Sequence, residues 1–77
     1  MDKTVSVFQK NKFQEVRFGI REFKGNDLID IRIWTMKQGS DDMVATAKGV
    51  SFNINLLPEL KKGIEEIEKT LKENGML

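Results

Sequence analysis

The chain has 77 residues, with 13 Lys/Arg against 12 Asp/Glu, a formal net charge of +1, and neither cysteine nor histidine. That length allows one domain at most, disulfides are excluded and the usual zinc ligands are missing, so self-association is the remaining common way to bury more surface and a homodimer is expected. Acid–base and nucleophilic catalysis have little to work with: the acid pair Asp41-Asp42 has no further ligand at metal spacing, and no phosphate loop or nucleophile elbow is present, so a non-enzyme without cofactor or metal is expected.

The start Met1-Asp2-Lys3-Thr4 lacks the features of a secretory leader, and no apolar stretch approaches the length that spans a bilayer. A soluble, cytoplasmic, nucleoid-associated protein with no membrane partner is the expectation. Val5, Val7 and Phe8 then suffice for a short added strand or an ordered arm over residues 1–12. Residues 14–22 alternate Val16, Phe18, Ile20 against Arg17, Gly19, Arg21, the pattern of a strand with one apolar and one basic face. Phe23-Lys24-Gly25-Asn26-Asp27 supplies a hairpin turn in which Gly25 or Asn26 takes positive φ.

The next strand, Leu28 to Met36, places Ile29, Ile31 and Ile33 on one face and Asp30, Arg32 and Trp34 on the other. Lys37 to Asp42 is a polar loop. Met43 to Ala47 and Gly49 to Ile54 read as further strand, with a bulge or bend at Lys48-Gly49. From Pro58 the period changes to that of a helix, with Leu60, Ile64, Ile67 and Leu71 on one stripe, Asn55 as candidate cap and Asn74-Gly75 as the stop. One helix stripe is expected to cover one apolar sheet face, leaving the other face open. Gly63 on that stripe is either a point of close backbone approach or a tolerated defect.

The basic excess belongs to the sheet: residues 10–37 hold seven Lys/Arg against four acids, whereas residues 55–77 hold four Lys against five Glu. Arg17, Arg21 and Arg32 project with Trp34 from the open face, Gly19 leaves room for a base or sugar, and Phe23 with Lys24 lies at the hairpin rim. Cations interleaved with aromatics suit stacking of unpaired bases, worth about 1–3 kcal/mol per base, with phosphates neutralised alongside. A duplex hides its base faces, and no helix here is basic enough for a major groove. The plainer alternatives are that Trp34 covers a subunit interface, that Arg32 only pairs with Asp30 on a solvated face, and that Gly19 marks a bulge.

Arg21-Glu22-Phe23-Lys24-Gly25, then Leu28-Ile29-Asp30-Ile31-Arg32, then Lys48-Gly49-Val50-Ser51-Phe52 before a short link and a helix, together resemble the transcriptional coactivator positive cofactor four family in a short, bacterial or phage-type form. The resemblance runs from about Phe13 to Leu60. It implies an α+β fold, a curved four-stranded antiparallel sheet followed by one C-terminal helix, in a homodimer that binds unwound single-stranded DNA in transcription, replication or repair. By position it carries contact roles to Arg21, Phe23, Lys24, Arg32 and Lys48. Asn26, Gln14, Val16 and Ala45-Thr46-Ala47 stand where the family carries basic residues, and Thr35 where it carries an aromatic, which implies weaker or more salt-sensitive binding.

The expected domain is residues 13–77, and the expected single-strand-binding set is Arg17, Arg21, Phe23, Lys24, Arg32, Trp34, Lys37 and Lys48. RNA is accepted by the same stacking platform, and transcription or replication proteins are further expected partners. An interaction module that binds a polypeptide through sheet edges or the helix stripe is the alternative from another class.

Overall fold

Period-two alternation governs most of the chain, and the computed structural model, which describes residues 1–77, folds it into one antiparallel sheet with the strands in sequence order. The strands are β1 (Lys3–Asn11), β2 (Gln14–Phe23), β3 (Asn26–Met36) and β4 (Met43–Asn53); a 3-10 turn (Ile54–Leu56) leads into the single helix α1 (Leu57–Glu73). Of the two expectations for the N-terminal segment, the added strand holds, nine residues long, and the arm does not. The strand is held at its start by the Met1 ammonium, 2.9 Å from the Asp27 carboxylate, and by Asp2, which accepts the Glu22 N–H at 2.9 Å. No helix is long and apolar enough to cross a membrane.

Register fixes the two faces. Val16 opposes Ile33, Phe18 opposes Ile31 and Ile20 opposes Ile29, with Val50 and Phe52 continuing the apolar face on β4. Phe8 joins it from β1, its ring centroid 5.9 Å from that of Phe18. Arg17 opposes Arg32, Gly19 opposes Asp30 and Glu15 opposes Trp34 on the other face. The β2–β3 turn has positive φ at Lys24 (50°) and Gly25 (80°), the type I′ requirement, so the second left-handed residue is Lys24 and not Asn26.

The helix departs from expectation in two respects. Asn55 is not its cap: the Asn53 side chain accepts the Asn55 N–H and so starts the 3-10 turn, while Leu56 at the helix N-cap offers no side-chain acceptor. Pro58 does sit in the first turn, and the end is as expected, with Gly75 donating to the Lys72 carbonyl and Met76 to that of Leu71 in a Schellman arrangement. More consequentially, the helix stripe does not cover its own sheet. Only its first two turns, Leu57, Leu60 and Ile64, approach Phe18, Ile29 and Ile31, and Ile64 and Ile67 stay 67% and 56% exposed. A Cβ on Gly63 would meet nothing within 4 Å, so no backbone of the same chain explains that glycine.

No hydrophobic residue of the protomer is fully buried. Its accessible surface is 6207 Å² and its radius of gyration 14.9 Å. A compact chain of this mass has about 4,800 Å², and one of this length a radius near ~11.5 Å.

Candidate nucleic-acid interface

The face opposite the isoleucines holds an open groove of about 530 Å³ lined by Arg21, Glu22, Phe23, Leu28, Asp30, Arg32, Trp34, Ala45 and Ser51. Strand alternation brings Asp30, Arg32 and Trp34 up from β3, and register sets Ser51 across from Asp30 and Gly49 across from Arg32. Two extra residues in β4 between Ala45 and Gly49 form the expected bulge. The bulge is locked by Thr46, whose hydroxyl donates to the Ile33 carbonyl at 2.8 Å and accepts the Lys48 N–H at 3.2 Å. Gly49 is required there, since a Cβ would lie 2.7 Å from the Ile31 oxygen and 2.9 Å from Arg32 Cα.

Asp30 is the floor of the groove and the only buried side chain in the protomer, at 5% exposure. Arg32 donates from Nε to Oδ1 and Oδ2 of Asp30 at 3.2 and 3.3 Å, and from Nη2 to Oδ1 at 3.0 Å. Its Nη1 donates to the Thr46 carbonyl at 3.0 Å, so both edges of the guanidinium are held. Ser51 Oγ donates to Asp30 Oδ1 at 2.8 Å, and Arg21 Nε lies 3.7 Å from Oδ2. Burial alone would push the Asp30 carboxyl up; the hydrogen bonds from Arg32 and Ser51, with the charges of Arg32 and Arg21, outweigh it and hold the carboxyl below its usual range.

Of the residues expected at the site, Arg21, Phe23, Arg32 and Trp34 line this groove together. Arg17 lies over Trp34, its guanidinium carbon 4.2 Å from the ring centroid, while its Nε donates to Glu15 at 2.9 Å. Trp34 is therefore on the groove face and not on the apolar face, but its indole is already partnered by a cation. The indole Nε1–H is buried and finds no acceptor. Lys24 sits at the hairpin tip with its ammonium 5.3 Å from the Phe23 ring centroid.

Lys37 and Lys48 do not line the groove: Lys37 begins the β3–β4 loop, its N–H donating to the Asp42 carbonyl, and Lys48 projects from the β4 bulge. Gly19 does not make space for a ligand, because a Cβ there would lie 3.0 Å from the Lys3 carbonyl oxygen; it admits the irregular β1 backbone instead. Sequence reasoning missed Ser51 and the Thr46 carbonyl as parts of the site. Ser51 shares parity with Gly49, so the close approach at Gly49 would have placed it.

The chain matches the family model of the Transcriptional Coactivator p15 (PC4) over residues 10–63. Among solved structures, it is similar to a PC4 homolog from Burkholderia pseudomallei K96243 in a tetragonal crystal form, with TM-score 0.81 and 26% identity over 88% of this chain and 98% of the other. The orthorhombic form of that homolog gives TM-score 0.79 and 27% identity over 87% and 89%. The bacteriophage T5 homolog of the eukaryotic coactivator PC4, implicated in recombination-dependent DNA replication, shares the fold at TM-score 0.66 and 24% identity over 99% of this chain and 83% of the other.

Proposed function

The chain belongs to the Transcriptional Coactivator p15 (PC4) family, a non-catalytic DNA-binding and coactivator family, and we propose that it binds single-stranded DNA with little sequence preference through the groove face of its sheet. The observation that carries this is the convergence of Phe23, Trp34, Arg21 and Arg32 in one open groove, with Lys24 at its end. Aromatic and guanidinium planes accept the face of any base, and a single strand is the polynucleotide that offers such faces. A strand that follows the groove passes Lys24 at one end, and Lys48 stands beside its β4 edge.

The working unit is a homodimer. The surface of the protomer exceeds that of a compact chain by about 1,400 Å², and two such faces together reach the size of obligate homodimer interfaces. The half-exposed row of Phe18, Ile29 and Ile31, with the helix stripe beyond it, is the surface that a second copy covers. Exposed single strands arise where duplexes are opened, so the role lies in transcription, replication or repair on chromosomal or phage DNA in the cytoplasm, with proteins of those processes as partners. The phage T5 relative is implicated in recombination-dependent DNA replication, in keeping with that setting.

Trp34, the single tryptophan, reports on the groove. Titration with oligo-dT at several salt concentrations is expected to change its fluorescence saturably, with log K falling against log salt at about −0.7 per phosphate met. Duplex of equal length should bind more weakly. No response to oligo-dT at low salt contradicts the proposal, and tighter binding of oligo-U makes RNA the ligand.

A further inference from the structure

Among the eight residues of the expected site, cations divide into two classes. Arg17 is paired with Glu15 at 2.9 Å, Arg32 with Asp30 at 3.0 Å, and Arg21 stands 3.7 Å from the same Asp30 carboxylate. Lys24, Lys37 and Lys48 make none of the six ion pairs in the chain. The two arginines of the groove floor thus share one carboxylate, which offsets one of their two charges, whereas Lys24, Lys37 and Lys48 have no such partner.

A buried acid is a strange thing to place in the floor of a polyanion site. It repels phosphate, and in a protomer whose one other buried residue is Gly19 it is the one buried side chain. Its effect on its neighbours is specific. Nε and Nη2 of Arg32 are turned inward to the carboxylate and Nη1 to the Thr46 carbonyl, so the Nε–Nη2 edge with which arginine grips phosphate bidentately is taken and the guanidinium is fixed in place. What remains is a fixed guanidinium plane at 22% exposure with its charge balanced at contact distance.

We propose that Asp30 is the specificity-determining residue of this groove: by holding the Nε–Nη2 edge of Arg32 and offsetting its charge, it withholds one of the two floor charges from phosphates. The floor then rewards a ligand that lays bases on it and gives little to one that offers phosphates alone. Phosphates are met at the lysines without an acidic partner, Lys24 at the hairpin tip first. The inference rests on the proposed single-strand binding and adds to it the chemical basis of discrimination between a strand with bases and a bare polyanion.

The test compares Asp30→Asn with the unaltered protein on two probes of equal length, oligo-dT and an abasic oligonucleotide that keeps the phosphates and lacks the bases. The unaltered protein should prefer oligo-dT. In Asp30→Asn one floor charge becomes available, so abasic binding should tighten and its salt slope steepen by about 0.7, a gain that grows roughly fivefold for each tenfold dilution of salt. The preference for oligo-dT should shrink accordingly. A folded Asp30→Asn protein with unchanged abasic affinity and slope overturns the inference while leaving single-strand binding intact.

Should Asp30→Asn fail to fold by circular dichroism, the double variant Asp30→Asn/Arg32→Gln decides, because it removes both charges at once and strands neither. Its salt slope should equal that of the unaltered protein; a slope shallower by about 0.7 shows that Arg32 had been meeting a phosphate, which also overturns the inference. If the unaltered protein binds oligo-dT no better than the abasic probe, the base-stacking proposal fails first and the role of Asp30 falls with it.

Discussion

On the groove face a carboxylate is sealed under two arginines and a serine hydroxyl, whereas on the opposite face Phe18, Ile29 and Ile31 lie half-exposed beside a helix that covers little of them. The usual order of burial is reversed between the two sides of one sheet. Polar interactions are directional and can be completed within the protomer, so the groove is preorganised with or without a ligand. Apolar burial needs area, and this single sheet with its outlying helix buries no hydrophobic residue within one copy. The groove face is therefore the finished half of the molecule, and the apolar face is the half left for the proposed second copy to complete.

The largest effect should come from placing a charge on the apolar face. Ile31→Asp strands a carboxylate in the proposed dimer interface at a cost of about 3–5 kcal/mol, and sedimentation with chemical denaturation should show loss of the dimer and of most stability together. A variant as stable and as dimeric as the parent would show that this face is not buried between copies.

On the groove face the largest loss should follow Trp34→Ala, which removes a stacking surface and the seat of Arg17. Oligo-dT affinity should fall by about 1–3 kcal/mol, roughly 5- to 150-fold, with the far-ultraviolet spectrum unchanged. Unfolding instead would assign Trp34 to the scaffold.

A smaller, two-signed effect is expected at the hairpin tip. Lys24 holds φ at 50°, where a lysine is strained, and Asn followed by Gly25 is the favoured pair for that turn. Lys24→Asn should raise stability by about 0.5–1 kcal/mol while making the salt slope shallower by about 0.7. A gain in stability without loss of binding would remove Lys24 from the site.

The smallest effect is the pH dependence that Asp30 gives to stability, which is confined to the acid side. Its carboxyl is held low in the fold by Arg32, Ser51 and Arg21, so its contribution is complete above the unfolded value of 3.8 and is lost as the pH falls through the lower folded value. Unfolding followed against pH should fall off on the acid side in the parent, and Asp30→Asn should flatten that limb. An acid limb of equal steepness in the variant would assign it to other carboxylates.

Much of this was legible in the residues themselves. Parity alone put Arg32 and Trp34 opposite the isoleucines, and Lys48-Gly49 announced the β4 bulge, because local rules of alternation and turn chemistry decide those features. What parity could not give was pairing between strands. Gly19 read as a gap for a ligand until β1 was seen to pass beside it, and Trp34 read as a bare indole until Arg17, two places along from its direct partner Glu15, was seen lying over it. The helix misled for a different reason: an amphipathic stripe states that a face must be covered, and says nothing of whether its own chain or another does so.

Which face meets the nucleic acid is read directly by nuclear magnetic resonance of isotope-labelled protein titrated with oligo-dT. Shifts confined to Arg21, Phe23, Asp30, Arg32, Trp34 and Ser51, with Phe18, Ile29, Ile31 and Ile64 unmoved, are the predicted result. Shifts centred on the isoleucine row and the helix, with the groove residues silent, would contradict it.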